Sequence, residues 1–139
     1  MKLRTFLIFA MVTMVFLLSS CIVTSYDYNV EISCDEFGSY NHMSGDFDVG
    51  IGDKIRIKLC SNPTTGFQWA YEMTMDNVVK EEDHDFEAPE AAIPGATGKE
   101  IWTFEAVDTG TTEVQLEYSQ PWEGGLKSEW TYTMRITVQ

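Results

Sequence analysis

Two alternating segments flank a short turn in the stretch Lys54-Ile-Arg-Ile-Lys-Leu-Cys-Ser-Asn-Pro-Thr-Thr-Gly-Phe-Gln-Trp-Ala-Tyr71. This stretch is the strongest indication of the fold. In the first segment, one face carries the apolar residues Ile55, Ile57 and Leu59. The second segment continues the alternation with Phe67, Trp69 and Tyr71. A period of two is typical of a β-strand with one buried face. We therefore predict two half-buried strands that flank the turn.

The turn between these strands, Asn62-Pro63-Thr64-Thr65-Gly66, has a composition that specifies its shape. Proline fixes φ near about −65°, glycine tolerates positive φ, and asparagine can bond to its own backbone. Five residues exceed what a tight hairpin needs, and two small threonines at the tip suit contact with a partner. An ordinary connection between strands is the alternative interpretation of this turn taken alone.

Further segments extend the same pattern along the chain. Strands are predicted at Tyr28–Ser33, Val78–Glu82 (a sheet edge), Lys99–Ala106, Thr111–Ser119 and Glu129–Val138. Asp35–Gly45 and the acidic stretch that ends at Glu90 are predicted to be loops. About seven to eight short strands separated by turns indicate an all-β protein, folded as a two-sheet antiparallel sandwich.

The first 20 residues have the form of a signal peptide of the lipoprotein type. Lys2 and Arg4 precede an apolar run from Phe6 to Leu18, which is shorter than the roughly 20 residues that span a bilayer. The sequence from Leu18 to Cys21 has the form of a lipobox, in which the cysteine becomes the first mature residue and carries lipid. We expect an exported protein at the cell surface or in the periplasm, anchored to a membrane through lipid on Cys21. A soluble secreted protein is the alternative.

On this interpretation the chain has three parts. Residues 1–20 are the signal peptide, residues 21–27 are the lipidated cysteine and a short tether, and residues 28–139 form one domain. Export permits a disulfide between Cys34 and Cys60. Free buried thiols are the alternative, because the sequence does not fix the distance between the two sulfurs.

The composition limits the classes of partner. The net charge is −13, which argues against binding to nucleic acid and against electrostatic adhesion to anionic lipid, since phosphate binding needs positive charge. It permits a basic partner. With 44% hydrophobic residues the chain can build a core, so disorder is excluded.

Candidate catalytic and metal-binding constellations are sparse. His42 and His84 are the only histidines, and neither has a zinc-ligand spacing or a serine in a nucleophile elbow beside it. The stretch from Asp83 to Glu87 offers oxygen ligands for a hard cation, but it lacks the glycine and the later glutamate of an EF-hand loop. We expect a solvated acidic loop there, with no metal, no cofactor and no small-molecule substrate.

Three turns stand out, in a fixed order along the chain. After Asn62–Gly66 comes the glycine-bracketed turn Pro94-Gly95-Ala96-Thr97-Gly98, and then Gln120-Pro121-Trp122. An exposed tryptophan on a loop is costly unless a partner covers it, because aromatic residues are the usual interface anchors. Where strands alternate in direction, turns after every second strand fall at the same end. We therefore predict that the three turns form one edge.

These motifs resemble those of the chagasin family of cysteine-peptidase inhibitors. That family carries an NPTTG-type, a GxxG and an RPW-type motif on three adjacent loops, and the similarity here extends over roughly Asp46–Gln139. The resemblance implies an immunoglobulin-like antiparallel β-sandwich without enzymatic activity. It also implies reversible occlusion of the active-site cleft of papain-like cysteine peptidases.

The resemblance further assigns a role to each loop. The loop with Thr64 and Thr65 would enter the cleft near the catalytic cysteine and histidine of the peptidase. Residues Gly95–Gly98 would run along the substrate-binding groove, where absent side chains permit close approach. Trp122 would pack on the primed side. Gln120 stands where the family usually has arginine, which removes a charged fork that can bind a carboxylate.

Two other functions compete with inhibition. An extracellular immunoglobulin-like adhesion or carbohydrate-binding module would explain the export, the fold and an aromatic residue such as Trp122, but not the other two motifs. A hydrolase that uses the acidic residues lacks an organised pair of acid and base. The sequence therefore favours an inhibitor.

Overall fold

The polypeptide forms two facing four-stranded sheets with a short helix, in the computed structural model that describes residues 27–90 and 93–139. The elements in chain order are β1 (Tyr28–Ile32), α1 (Cys34–Ser39), β2 (His42–Val49), β3 (Lys54–Ser61), β4 (Gln68–Met73), β5 (Val79–Glu87), β6 (Gly98–Ala106), β7 (Gly110–Ser119) and β8 (Trp130–Val138). The predicted signal peptide, Cys21 and most of the tether lie outside the described residues.

The two sheets confirm the predicted all-β sandwich. The first sheet has the strand order β1-β3-β6-β5, and the second has the order β2-β8-β7-β4. Two outer pairs differ from the predicted antiparallel arrangement, because β1 runs parallel to β3 and β2 runs parallel to β8. The physical reason is the connection: α1 carries the chain from one sheet to the other, so β1 and β2 cannot pair as a hairpin.

The core forms between the inward faces of the sheets. Ile55, Ile57 and Leu59 are at most 2% exposed, as the alternation in β3 predicts. Strand β8 contributes Met134 and Ile136, both fully buried. Each such side chain stabilises the fold by about 1.5–3 kcal/mol relative to exposure.

The segment Asp35–Gly45, predicted to be a loop, forms most of α1 and the start of β2 instead. A capping box begins the helix: the Ser33 hydroxyl accepts from the Glu36 N–H, and the Glu36 carboxylate accepts from the Ser33 N–H at 2.8 Å. Phe37 is fully buried and stacks at 5.1 Å on the Trp130 ring. The Ser33-x-x-Glu36 spacing is the sequence signal from which this helix could have been predicted. Six residues alone would not hold a helix, so distant contacts decide it.

Strand β5 is longer than predicted, since it runs through Glu87 into the stretch expected to be a loop. It forms the predicted sheet edge and pairs with β6. Its acidic side chains meet lysines of β3, with Lys54 Nζ 2.5 Å from Glu82 Oε1 and Lys58 Nζ 2.9 Å from Glu87 Oε2. Part of the acidic charge is thus paired by cations that lie far away in sequence.

Cys34 and Cys60 form a disulfide, with their Cα atoms 5.2 Å apart. This distance is within the usual range for a disulfide. Of the two alternatives left open by the sequence, the structure has the bond rather than free thiols. It joins the first residue of α1 to β3, one residue before that strand ends.

Candidate functional site: three loops at one end of the sandwich

Three connections leave the sandwich at the same end, after β3, β5 and β7. We name them loop A (residues 62–66), loop B (93–98) and loop C (120–126). Ser61 at the end of β3 pairs with Gly98 at the start of β6, and Gln68 at the start of β4 pairs with Ser119 at the end of β7. These registers bring the ends of the loops together, as the alternation of strand direction predicts.

Loop A contains a 3-10 turn, Pro63–Thr65, that the Asn62 side chain organises. Asn62 Oδ1 accepts hydrogen bonds from the Thr64 N–H at 3.2 Å and from the Thr64 hydroxyl at 2.6 Å. The Thr65 hydroxyl donates to the Asn62 carbonyl at 2.7 Å. Gly66 closes the turn with φ of 78°, which glycine adopts without strain. Both threonine hydroxyls therefore donate inside the loop and fix its shape.

Tyr118 on β7 anchors loop A by binding the backbone of its first residue, Asn62. Its hydroxyl accepts from the Asn62 N–H at 2.8 Å and donates to the Asn62 carbonyl at 3.3 Å. The ring is 3% exposed and stacks on Trp130 and Phe67, with centroid distances of 4.9 and 5.2 Å. Tyr118 is a site residue that was not predicted from the sequence, because nothing local in the sequence shows that β7 lies next to loop A.

Loop B contains a turn in which the Ala96 N–H donates to the Ile93 carbonyl at 3.2 Å. Gly95 has φ of 84°, and no atom lies within 4 Å of the position that a Cβ would occupy there. Gly98 differs, since a Cβ would lie 2.5 Å from the carbonyl oxygen of Glu87. Gly98 is thus required by packing inside the protein, whereas Gly95 leaves the loop open to approach from outside.

Loop C closes on itself through Gln120. The Gln120 N–H donates to the Leu126 carbonyl at 2.8 Å, and Gln120 Oε1 accepts from the Leu126 N–H at 3.0 Å. Lys127 Nζ donates to the Gln120 carbonyl. A turn follows Trp122, whose carbonyl accepts from the Gly125 N–H at 3.2 Å. The amide at position 120 is therefore a structural part of the loop.

Loop A contacts each of the other two loops. Asn62 Nδ2 of loop A donates to the Gly95 carbonyl of loop B at 3.3 Å. The Trp122 ring of loop C lies against Gly66, where a Cβ would be 2.5 Å from Trp122 Cη2. Half of the Trp122 side chain remains exposed, at 50%. The residues of the three motifs that are exposed at this edge are Pro63, Thr64, Thr65, Gly95, Thr97, Pro121 and Trp122.

A carboxylate holds the base of loop C. Glu117 accepts hydrogen bonds from the Ser119 hydroxyl and from the Ser128 N–H, the latter at 3.3 Å. The Ser128 N–H also donates to Ser119 Oγ at 2.8 Å. The hydrogen bond from Ser119, more than that from Ser128, holds the pKa of Glu117 below its ordinary value of 4.5. The ionised form of Glu117 therefore helps to hold the two ends of loop C together.

The histidine of the acidic stretch stays exposed on the edge strand β5 and packs on the neighbouring strand β6. The His84 ring stacks on Trp102 with centroids 3.5 Å apart, and its Nε2 lies 3.0 Å from Glu100 Oε2. The Ser61 hydroxyl is directed to the other oxygen of Glu100 at 3.0 Å rather than to the imidazole. Ser61 is fully buried, so its hydroxyl is not accessible to a substrate.

Residues 27–90 and 93–139 contain neither a cluster of metal ligands nor a membrane-spanning helix. No group of His, Cys, Asp and Glu side chains in these ranges could hold a metal ion. In the same part of the chain, no helix has the length and hydropathy needed to cross a membrane. The candidate functional site in the described residues is therefore the set of three loops at one end of the sandwich.

Fold and site together define an immunoglobulin-like β-sandwich that presents three short, interconnected loops at one end. The sequence matches the family model of the chagasin family peptidase inhibitors (I42) over residues 48–138. The chain belongs to this family, whose members are peptidase inhibitors and not enzymes.

Individual relatives agree with this assignment. Chagasin of Trypanosoma cruzi is 32% identical over 87 residues, which cover 60% of this chain and 79% of chagasin. Amoebiasin-1 of Entamoeba histolytica is 32% identical over 93 residues, covering 66% and 87% of the two chains.

Two solved structures share the fold. The cysteine protease inhibitor EhICP2 from Entamoeba histolytica has a TM-score of 0.63 at 21% identity, covering 83% of this chain and all of that one. PbICP-C, whose structure is of a complex with falcipain-2, has a TM-score of 0.57 at 12% identity, covering 81% and 99%.

Proposed function

We propose that the chain is a reversible inhibitor of papain-like cysteine peptidases and that loops A, B and C together occlude the active-site cleft. The observation that carries the proposal is the contact between the three motif loops, through the Asn62–Gly95 hydrogen bond and the packing of Trp122 on Gly66. Family membership points to peptidases as partners, and the related fold of PbICP-C occurs in complex with falcipain-2.

Loop A is suited to enter a narrow cleft. Its exposed tip is made of Pro63, Thr64 and Thr65, and the two threonine hydroxyls donate to Asn62. A loop already fixed by such hydrogen bonds loses little conformational entropy on binding. Loop A would lie near the catalytic cysteine and histidine of the peptidase without placing a peptide bond in position for attack. The inhibitor would therefore not be cleaved.

Loops B and C would flank this insertion. Gly95 leaves open space on loop B, so its backbone could approach a substrate-binding groove closely. Trp122 would pack on the primed side of the cleft as an aromatic anchor. Gln120 closes loop C through an accepted hydrogen bond, which an arginine side chain cannot accept. Compared with the arginine that is usual in the family, Gln120 therefore loses a charged contact with the peptidase and gains a hydrogen bond that closes loop C.

The test is a titration of papain with the purified protein, followed with a small fluorogenic substrate. Reversible inhibition with a sub-micromolar inhibition constant supports the proposal. The absence of inhibition of papain and of several other papain-like peptidases would instead favour the adhesion or carbohydrate-binding module.

We also propose that the protein is exported and anchored to a membrane through lipid on Cys21. The support comes from the lipobox and from the Cys34–Cys60 disulfide, since disulfides persist in oxidising compartments. Mass spectrometry of the mature amino terminus tests this. A lipid-modified Cys21 supports the anchor, and an unmodified Cys21 or cleavage elsewhere contradicts it.

A further inference from the structure

The segment Ser33–Asn41, here called the cap segment, precedes the part of the chain that matches the family model, yet it lies at the loop end of the sandwich. Because β1 runs parallel to β3, its last residue Ile32 lies beside Leu59, just before loop A. Strand β2 then begins at His42 beside Thr131, just after loop C. The cap segment must therefore cross from one sheet to the other next to these two loops.

The cap segment is fixed along its length. The disulfide joins Cys34 at its start to Cys60 of β3, and Phe37 in its middle is fully buried. At its end, Asn41 Nδ2 donates to the Glu129 carbonyl at 3.2 Å, in the connection that contains loop C. A segment held in this way presents its exposed side chains in a defined geometry.

Among the exposed residues of the cap segment, Tyr40 is the large hydrophobic one. At 69% exposure it is the most exposed large hydrophobic residue in the described part of the chain. Its N–H donates to the Glu36 carbonyl at 2.8 Å, which fixes the backbone, while its hydroxyl has no hydrogen-bond partner among the described residues. Tyrosine offers a large contact area and a polar tip at a low entropic cost, as interface anchors do.

The exposed apolar side chains at this end form a larger set. They are Tyr40, Ile93 of loop B, and Trp122 and Leu126 of loop C. Each is at least 50% exposed. Because the cap segment is hydrogen-bonded to the connection that contains loop C, Tyr40 lies at the same end of the sandwich as Trp122. Exposed apolar side chains gathered at one end of a protein mark an interaction site, so a partner bound across this end would have both side chains available to it.

We propose that Tyr40 forms a fourth contact with the peptidase, beyond loops A, B and C. Its ring packs on the peptidase surface that flanks the cleft beside Trp122, and its hydroxyl bonds to a polar group there. This inference rests on the proposed inhibitory function and extends it. Catalytic residues are shared by a peptidase class while flanking loops vary, so Tyr40 contributes to the choice among target peptidases.

The experiment compares the inhibition constants of the wild-type protein, Tyr40→Ala and Ile51→Ala against papain. Ile51 is the matched control, since it is also exposed but lies in the turn between β2 and β3 at the opposite end. Tyr40→Ala is expected to raise the inhibition constant about fivefold or more, as the truncation of an interface anchor does, while Ile51→Ala leaves it unchanged. Both variants should keep the wild-type melting temperature, because both side chains are exposed.

The outcomes separate this inference from the proposed function. If the wild-type protein inhibits no papain-like peptidase, both the proposed inhibitory function and the fourth contact are wrong. If the wild type inhibits papain and Tyr40→Ala inhibits it equally well, the fourth contact is wrong and the three-loop proposal stands. An unchanged inhibition constant with loss of a dimer in sedimentation would assign Tyr40 to self-association and overturn the inference.

Discussion

At the residue scale, Trp122 combines contact inside the protein with exposure to a partner. Its ring lies against Gly66, where the missing side chain makes room for it, and half of its surface faces solvent. The ring is therefore oriented before any partner binds. An anchor that is held in place in advance keeps more of its contact energy for binding.

We predict that Trp122→Ala weakens binding to papain by more than about 1 kcal/mol, which is roughly a fivefold rise in the inhibition constant. Inhibition assays with a fluorogenic substrate measure the change. Met75→Ala is the control, because Met75 is exposed at the opposite end of the sandwich. Papain inhibition by Trp122→Ala at the wild-type level would show that the three-loop edge is not the contact surface.

The glycines of the second motif have separate roles. We predict that Gly98→Ala lowers the free energy of unfolding by about 1–3 kcal/mol, because the new methyl group would meet the Glu87 carbonyl at 2.5 Å. Gly38→Ala is the control, since Gly38 lies in α1 with no atom within 4 Å, so it should be neutral or slightly stabilising. Urea unfolding curves measure both variants, and equal effects would contradict the packing role of Gly98.

At the element scale, α1 depends on a bond to β3. We predict that the double variant Cys34→Ser, Cys60→Ser loses about 2–4 kcal/mol of unfolding free energy, the range typical for removal of one disulfide. Urea unfolding with and without reductant measures this loss. Reductant should shift the wild-type curve and leave the double variant unchanged. A wild-type curve that is insensitive to reductant would mean that the bond is absent in solution.

The hydrogen bonds at the base of loop C give that element a pH dependence. Since folding lowers the pKa of Glu117, its ionised form stabilises the fold at pH values above 4.5, and this contribution is lost as the pH falls below that value. We predict that wild type and Glu117→Gln differ in unfolding free energy near neutral pH and converge in acid. Urea unfolding across this pH range measures the difference. A difference that does not depend on pH would exclude the carboxylate as its source.

At the scale of the whole molecule, the net charge of −13 acts on association rather than on the fold. We predict that the association rate constant with a basic papain-like peptidase falls as salt rises from about 0.01 to 1 M, because the screening length shrinks from about 30 to 3 Å. Stopped-flow kinetics measure the rate, with an acidic peptidase of the same class as the control. Equal salt dependence for both peptidases would rule out electrostatic steering.

The sandwich itself follows from local sequence information. The alternation around Ile57 predicts β3 and its buried face, and the composition of Asn62–Gly66 predicts a shaped turn. The same information failed for Asp35–Gly45 and for the acidic end of β5. There the stabilising partners, such as the Trp130 ring and the lysines of β3, lie far away along the chain.

The amino-acid sequence was sufficient to predict the all-β class, the three motifs and their order, and the likeness to the chagasin family, because side-chain alternation and turn preferences act over a few residues. The folded structure was needed to establish the parallel outer pairs, the Cys34–Cys60 bond, the anchoring of loop A by Tyr118, and the different roles of Gly95 and Gly98. Each of these depends on atoms that are distant along the chain and are brought into contact by folding. The position of Tyr40 at the loop end of the sandwich belongs to the same group, since it results from the crossing of α1 between the sheets.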